Sequence, residues 1–385
     1  MLQLRTGKPV GREGEVPVES PFFRNLGALA RAFGWPNRPI FSQLAKAAGP
    51  IRGFWAEIIP SIAPVWHPGV QFSQENRGLG GRSARLRAAG PKTPRCTEAA
   101  MSTIPCPITG ANSQRIAQLE HLSRQMRRGI LERAYAAKVG HIGSALSVAD
   151  ILAVLWGSVM RDAGTQKPAR DRFVLCKGHA ALGLYAAMCH TGRMDQATFE
   201  SYCMEDTHLG VHPEPTLPGI DVGTGSLGQG LSVACGLALG LRLDRSPGRV
   251  YALLSDAECN EGQVWEAAQF AAHHKLNNLT ALVDANGTQA LGRTEEVLDL
   301  SPMARRWEAF GWQAVEADGH DHASLLEALE APRDGRPRMV IAKTVIGKGV
   351  GYMEDRVAWH YKSMNAEEYA RGVAEVDGVV REAAA

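Results

Sequence analysis

The chain lacks an excess of either charge. Its 42 Lys and Arg residues and 40 Asp and Glu residues leave a formal net charge of +2 on 385 residues. This balance gives no indication of a nucleic-acid partner, because nucleic-acid-binding domains commonly carry a basic patch or a basic excess. The sequence also contains no secretory hydrophobic region and no visible internal repeat. We therefore expect a soluble globular protein without a membrane partner.

Cysteine pairs with metal-binding or redox spacing are also missing. The seven cysteines include no CxxC pair, and their number is odd. Several lie in apolar segments, where a free thiol behaves as a small hydrophobe: Cys176, Cys189, Cys203 and Cys235. This usage favours a reducing compartment, here the cytoplasm, and argues against a structural zinc site.

Residues 1 to about 105 lack a sustained apolar period. They are rich in Arg, Pro and Gly, and prolines such as Pro36, Pro50 and Pro60 interrupt their few aromatic patches. We expect a largely unstructured extension here. It is interpreted either as an organelle-targeting peptide or, preferably, as a stretch upstream of a true start at Met101, which leaves residues 106–385 as the folded domain.

A strand, a helix and a second strand are predicted between residues 250 and 283. The apolar runs 250–254 and 279–283 are typical of strands buried on both faces of a parallel sheet, and residues 261–273 have helical spacing. The two parallel strands end at the same edge of the sheet, so Asp256 and Asn286 are expected there together.

Carboxylate and amide oxygens at such an edge suit Mg²⁺ or Ca²⁺, if a backbone carbonyl, water and the phosphates of a ligand complete the coordination. A purely local interpretation is also open. Asp256 would then cap the following helix, and Asn286 would form an Asx turn with Gly287. Taken alone, the pair favours the local interpretation.

The segment GTGSLG at residues 223–228 formally satisfies GxGxxG. A Rossmann fingerprint requires a strand directly before it, and Pro213, Pro215 and Pro218 exclude a central strand there. The segment also lacks the Gly-Lys-Ser/Thr of a Walker A loop. It is interpreted as a glycine-rich loop that leads into an apolar helix at 228–243 and lets the backbone approach a ring or a phosphate.

Histidines occur at three turns or helix starts. His141 lies between two glycines, where a lone histidine is usually just solvated, and His179 begins a helix after a strand predicted at 173–176. His208 and His212 are four residues apart, but the intervening Gly and the following Pro exclude the helix that would align them on zinc. Ser147 is expected to cap a helix that runs to Trp156.

Several segments together resemble one known family. They read GHIGSALSVADILAVLW at 140–156, CKGHAALGLYAAM at 176–188, GTGSLGQGLSVACGLALG at 223–240 and AKTVIGKGVGYME at 342–354. With the acid, helix and Asn of the central unit, they resemble the amino-terminal, thiamine diphosphate-binding half of transketolase, over roughly residues 101 to 385. The resemblance and the predicted alternation imply a doubly wound α/β parallel sheet with flanking helices.

The resemblance also implies roles for individual residues. The metal would be held by Asp256, Asn286 and the Thr288 carbonyl. The cofactor would further contact Ser144, His179, Gly225, Ser226, Leu227 and Ala257. Catalysis would involve His141, His212 and His360, and Glu261 would couple two active sites across a dimer. The local alternative for Glu261 is an acid favoured in the first turn of a helix.

The family's GDG motif stands here as Ser255-Asp256-Ala257. Each replacement adds a Cβ near the expected diphosphate and restricts φ, so we expect reduced cofactor affinity. A non-catalytic regulatory subunit is therefore one alternative function. Another thiamine-dependent ketol transferase, or a subunit of a 2-oxo acid dehydrogenase, is the alternative among enzymes.

The resemblance implies a partner as well. In the family, the glutamate that activates the cofactor and the sugar phosphate-binding residues lie in a separate pyrimidine-binding domain, and this chain ends soon after the diphosphate-binding domain. We expect a C-terminal transketolase subunit of about 300 residues, arranged with this chain as two copies of each. The complex would transfer a two-carbon ketol group from a ketose phosphate to an aldose phosphate.

Overall fold

The computed structural model describes residues 110–378. The extension predicted at 1–105, the predicted domain start at residue 106 and residues 379–385 lie outside this range. The described part is built on a five-stranded sheet whose order is β1-β2-β3-β7-β6 and whose neighbours are all parallel. Its strands are β1 (Arg172–Leu175), β2 (Val250–Ser255), β3 (Leu279–Ala285), β6 (Gln313–Asp318) and β7 (Arg338–Lys343).

The sheet is central because its strands present apolar side chains to both faces. Phe173 and Leu175 of β1 belong to one apolar cluster, whereas Val174 between them belongs to the other. The same alternation runs through β2, where every residue is buried. This two-sided burial confirms the predicted doubly wound α/β fold, in which helices cover both faces.

Helices are divided between the two faces. One cluster contains buried residues of α1 (Gly110–Ala137), α2 (Ile142–Ser147), α3 (Ala149–Val154), α4 (Ala181–His190), α5 (Gln196–Glu200), α10 (His322–Glu330) and α11 (Ala366–Val376). The other contains buried residues of α6 (Gly230–Leu243), α7 (Gly262–His273) and α9 (Met303–Ala309). A small hairpin of β4 (Thr288–Gln289) and β5 (Gly292–Arg293) leads into α8 (Thr294–Leu298).

Two local predictions differ from the structure. Ser147 does not begin a helix but ends α2, and Val148 occupies the cap position of α3. Cys203 is exposed rather than buried in an apolar environment, whereas Cys176, Cys235 and Cys259 are buried. Within residues 110–378, none of the helices combines the length and the apolar character needed to cross a bilayer.

The strand register brings the segments that carry the predicted site to one edge. Ser255 at the end of β2 lies beside Asp284, and Ala285 at the end of β3 lies beside Lys343 at the end of β7. The carboxyl ends of parallel strands thus form one edge of the sheet, where open α/β folds bind ligands.

Candidate active site at the carboxyl edge of the sheet

Asp256 follows β2 directly and connects to the end of β3. Its Oδ2 accepts hydrogen bonds from the Gly287 amide at 2.8 Å and from the Thr294 hydroxyl at 3.1 Å. Its Oδ1 accepts from the Ala257 amide at 2.8 Å, at the start of a 3₁₀ turn over Ala257–Asn260. Asp256 therefore caps this 3₁₀ turn and not the predicted helix, whose cap position is Glu261. The predicted meeting with the segment that carries Asn286 does occur.

Asn286 is oriented by bonds on both sides of its amide. Its Oδ1 accepts from the Thr288 amide at 3.0 Å, which is an Asx turn across Gly287, and its Nδ2 donates to Asp284 Oδ2 at 2.8 Å. Gly287 has a φ of +67°, a conformation that favours glycine. The local interpretation of Asn286 is thus confirmed, and the Gly287 amide joins this turn to Asp256.

The electrostatics of Asp256 suit a cation. Burial, together with repulsion from Asp284, raises the pKa of Asp256 to about 6 despite the backbone hydrogen bonds that favour its charged form. Within residues 110–378, no cluster of three or more His, Cys, Asp or Glu side chains is arranged to hold a metal. One buried carboxylate beside an amide and a backbone carbonyl fits a hard cation whose remaining ligands come from phosphate and water.

A buried ion pair lies beneath this pair. Lys177, just after β1, pairs with Asp284 in β3, and their side chains are 1% and 0% exposed. The Lys177 charge and hydrogen bonds to the carboxylate outweigh burial and hold the pKa of Asp284 below its usual value. Sequence reasoning missed this pair, although two charged residues at the ends of buried strands were a usable signal.

Three of the predicted site histidines form a cluster. The ring centres of His141, His179 and His360 lie 5.2 to 5.5 Å apart in pairs. His141 has a φ of +61°, and its amide donates to the His360 carbonyl at 3.1 Å. A Cβ on the neighbouring Gly140 would lie 2.1 Å from the Tyr361 carbonyl oxygen, so glycine is required for this close approach.

The clustered rings are neutral at ordinary pH. Burial, with the Lys177 charge adding to it, lowers the pKa of His179 to about 2 and that of His360 to about 4, and burial also lowers the pKa of His141. The Nδ1 atoms of His141 and His360 are buried and have no hydrogen-bond partner among the described residues. Buried polar atoms of this kind commonly serve a ligand.

His212, the fourth predicted site histidine, packs against the glycine-rich loop. A Cβ on Gly225 would lie 3.2 Å from the His212 ring, and the His212 carbonyl accepts from the Tyr185 hydroxyl at 3.0 Å. The glycine-rich loop therefore runs against the His212 ring.

The loop itself is tied to the sheet edge. The Thr224 hydroxyl donates to the Leu175 carbonyl at 2.6 Å, and a Cβ on Gly178 would lie 2.8 Å from the Thr224 backbone. The Gly228 amide donates at 2.9 Å to Glu258, whose other oxygen accepts from the Ser255 amide at 3.3 Å. Glu258 is a further residue that sequence reasoning missed.

The two replacements in the GDG motif lie at the end of β2 and in the turn that follows it. Neither Ser255 nor Ala257 has a positive φ. The backbone of this turn is therefore one that residues other than glycine adopt, and the expected reduction of cofactor affinity stays a prediction. The Ser255 hydroxyl accepts from the Glu258 amide at 3.1 Å and so stabilises the turn.

Other predicted residues lie at or near this edge. Ser144 is buried in α2, Gly225 and Ser226 are exposed in the loop, and Leu227 is half-buried there. Glu261 occupies the cap position of α7, is exposed and makes no side-chain hydrogen bond as a cap. Its Cβ packs against Gly228, where any added Cβ would lie 2.7 Å away.

Comparisons with known proteins agree with this geometry. Residues 121–375 match the family model described as "Transketolase, thiamine diphosphate binding domain". The chain is 37% identical over 266 residues to a subunit of the apulose-4-phosphate transketolase of Phocaeicola vulgatus, and the match covers 68% of this chain and 94% of that protein. It is 36% identical over 270 residues to 6-deoxy-6-sulfo-D-fructose transketolase subunit SqwG of Clostridium sp., and the match covers 69% of this chain and 98% of that protein.

A solved structure shows the same fold. The transketolase of Campylobacter jejuni superposes with a TM-score of 0.61 at 26% sequence identity. The match covers 69% of this chain and 43% of that one, so this chain spans less than half of the C. jejuni enzyme. The chain belongs to the transketolase family, and residues 121–375 are its thiamine diphosphate-binding domain.

Proposed function

We propose that this chain is the cofactor-binding subunit of a two-subunit transketolase. The complex transfers a two-carbon ketol group from a ketose phosphate to an aldose phosphate, with thiamine diphosphate and a divalent cation. The observation that carries this proposal is the cluster of His141, His179 and His360, at the sheet edge that also carries the turns of Asp256 and Asn286. His212 lies against the glycine-rich loop of the same site.

Residues at the sheet edge hold the cofactor in this proposal. Asp256, Asn286 and the Thr288 carbonyl bind Mg²⁺ or Ca²⁺, which neutralises the diphosphate and makes its burial tolerable. His179 and the backbone of residues 225–227 bind the diphosphate, and Ser144 and Ala257 line the cofactor. When bound, thiamine diphosphate supplies a nucleophilic carbon and an electron sink.

The neutral histidines carry the proton transfers. Burial keeps His141 and His360 uncharged, as their lowered pKa values show, and each has a buried Nδ1 without a partner among the described residues. A neutral imidazole can donate a proton through one nitrogen and accept through the other. We assign His141, His212 and His360 jointly to the sugar carbonyl and hydroxyl groups.

The partner completes the site. Two relatives carry the names of transketolase subunits, and the matches cover 94% and 98% of their lengths, which supports a second chain here. That chain supplies the glutamate that activates the cofactor and the groups that anchor the sugar phosphate. The assembly contains two copies of each chain, Glu261 couples the two sites, and the complex works in the cytoplasm.

Relatives also support a second set of substrates. Their names specify apulose 4-phosphate and 6-deoxy-6-sulfo-D-fructose. In this proposal both reactions move a ketol group, so they share one cofactor and one histidine cluster. The partner chain that anchors the acceptor and donor determines which substrate is used.

The test is an assay of the full chain, combined with the protein from an adjacent reading frame. Xylulose 5-phosphate and ribose 5-phosphate are supplied with thiamine diphosphate and Mg²⁺, and the expected product is sedoheptulose 7-phosphate. Product from apulose 4-phosphate or the sulfo-sugar instead supports the second substrate set. Turnover of pyruvate without any ketol transfer contradicts the proposal and favours a 2-oxo acid dehydrogenase subunit.

A further inference from the structure

Asp284 is a fully buried carboxylate that gathers donors from separate elements. Its Oδ2 accepts from Lys177 Nζ, from the Ser147 hydroxyl at 2.6 Å and from Asn286 Nδ2 at 2.8 Å. Its Oδ1 accepts from the Thr344 hydroxyl, just after β7. These donors come from the ends of β1, α2, β3 and β7, so one carboxylate joins the elements that surround the candidate site.

The donors on Oδ2 determine which way the Asn286 amide faces. An ionised carboxylate can only accept, so it must meet the Asn286 nitrogen and not its oxygen. The Ser147 oxygen lies 3.4 Å from the same nitrogen and can accept its other hydrogen. On the opposite side, the Thr288 amide can only donate and lies 3.0 Å from Asn286 Oδ1. A flipped amide would lose these hydrogen bonds. Its oxygen would face the Asp284 carboxylate, which also accepts, and its nitrogen would face the Thr288 amide, which also donates.

Lys177 makes this arrangement possible. An uncompensated carboxylate buried at Asp284 would be costly, and the buried ammonium of Lys177 removes that cost. Both side chains are enclosed by protein, so they do not reach a ligand at the edge. Their effect on a bound cation must therefore pass through Asn286, the next side chain in the network.

We propose that the Lys177–Asp284 ion pair, with Ser147, is a positioning device that turns the amide oxygen of Asn286 toward the divalent cation. This inference rests on the function proposed above, since it takes Asn286 as a ligand of that cation. Lys177, Asp284 and Ser147 are positioning residues and not ligands themselves. Groups of this kind orient the ligands of many metal sites, and their loss typically weakens metal binding about 10- to 100-fold.

Two hydroxyl variants provide a matched test. Ser147→Ala and Thr344→Val each remove one hydroxyl donor to Asp284, but only Ser147 shares an oxygen of that carboxylate with Asn286. The full chain, reconstituted with thiamine diphosphate and its partner subunit, is titrated with Mg²⁺ in a calorimeter. We expect Ser147→Ala to weaken Mg²⁺ binding by about 3- to 10-fold, a fraction of the usual loss, and Thr344→Val to change it by less than about 2-fold.

A double variant removes the charges together. Lys177→Met with Asp284→Leu leaves no lone buried charge, so we expect the double variant to fold. Its melting temperature should be lower than that of the wild type, because the donors of Ser147, Asn286 and Thr344 lose their acceptor. Its Mg²⁺ affinity should also fall by about 10- to 100-fold, because nothing then orients Asn286. A purely structural ion pair would leave the Mg²⁺ affinity of the folded double variant unchanged.

The outcomes separate the two proposals. A wild-type complex that shows no Mg²⁺-dependent binding of thiamine diphosphate overturns the proposed function, and this inference with it. Wild-type binding with unchanged Mg²⁺ affinity in both Ser147→Ala and the double variant overturns this inference alone. If the double variant does not fold, the comparison of Ser147→Ala with Thr344→Val tests the inference alone. Equal losses of Mg²⁺ affinity in these two variants contradict the orienting role.

Discussion

The Gly287 amide donates a 2.8 Å hydrogen bond to Asp256 Oδ2, and this bond links residues that are 31 positions apart in the sequence. It connects the turn after β2 to the turn after β3. Asp256 and Asn286 are consequently held as neighbours by the protein's own backbone. The arrangement presents a carboxylate and an amide to one place at the edge of the sheet.

Asp256→Asn should separate metal binding from stability. Burial and the nearby Asp284 raise the pKa of Asp256 to about 6, so the ionised side chain is poorly stabilised in the protein alone. We expect Mg²⁺ affinity with thiamine diphosphate to fall at least about 10-fold, a loss of the size seen on altering metal-site groups, while the ligand-free melting temperature stays level or rises. Asp244→Asn, at an exposed carboxylate, is the control. Unchanged Mg²⁺ affinity in Asp256→Asn refutes the ligand assignment.

Glu258→Gln should change how stability depends on pH. Burial raises the pKa of Glu258 to about 7 despite the hydrogen bonds from the Gly228 and Ser255 amides. Because the folded state holds this proton more tightly than the unfolded state, the contribution of Glu258 to stability falls as pH rises from about 4.5 to 7. A glutamine at this position does not titrate, so its contribution to stability does not fall as pH rises.

Denaturant unfolding at several pH values measures the effect. Relative to the wild type, Glu258→Gln should gain about 3 kcal/mol of unfolding free energy between pH 4.5 and pH 8, from a pKa difference of about 2.5 units. The lost hydrogen bond lowers its stability by a constant amount at all pH values. A difference between the two proteins that does not vary with pH contradicts the raised pKa.

His179 and His360 should destabilise the fold in acid. Their pKa values are lowered to about 2 and about 4, chiefly by burial, so the unfolded state takes up protons first. Their contribution to stability is complete above pH 6.5 and is lost as pH falls below it. For each ring the loss should reach about 2 kcal/mol between pH 7 and pH 5.

Nitrogen-15 NMR of the histidine rings tests this directly. At pH 5.5 the signals of both rings should be those of neutral imidazole, and His179→Gln should reduce the loss of stability between pH 7 and pH 5. Glu258 contributes a pH dependence of the unfolding free energy with the opposite sign. This contribution is the same in both proteins, so it cancels when His179→Gln is compared with the wild type. Rings that titrate near pH 6.5 would show that they are solvated.

Glu261→Gln should affect assembly rather than folding. The side chain is exposed at the start of α7 and makes no hydrogen bond as a cap, so its replacement should change the stability of the isolated chain by less than about 0.5 kcal/mol. If Glu261 couples two sites across an interface, sedimentation should show several-fold weaker association of the reconstituted complex. Glu266→Gln, exposed on the same helix, is the matched control. Equal association in both variants contradicts the interface role.

Much of the fold could be predicted from short apolar runs. The runs at 250–254 and 279–283 are the cores of β2 and β3, which extend to Ser255 and to Ala285. Polar residues at their ends still pair with the neighbouring strand, and apolar periodicity does not detect such pairing. The prediction for Ser147 is wrong because a serine before an apolar run is typical of a helix cap, whereas here its hydroxyl binds Asp284.

The buried charges of the site could not be predicted in the same way. Lys177 and Asp284 are 107 residues apart, and their pairing follows from the position of β2 between β1 and β3, which a local pattern does not contain. Glu258 looks like an ordinary acid near a helix start, and only the fold shows it bound to the Gly228 amide. For Asp256 and Asn286, local bonding and site formation are alternatives in the sequence alone. The structure shows the local hydrogen bonds and a contact between the two turns.

The central claim is that the edge of this sheet binds thiamine diphosphate through a divalent cation. Its most direct test is calorimetric titration of thiamine diphosphate into the full chain reconstituted with its partner subunit, with Mg²⁺ and then with Mg²⁺ removed by a chelator. We predict saturable binding with Mg²⁺ that is lost on chelation and in Asp256→Asn. Absence of binding with Mg²⁺, or equal binding after chelation and in Asp256→Asn, would contradict the claim.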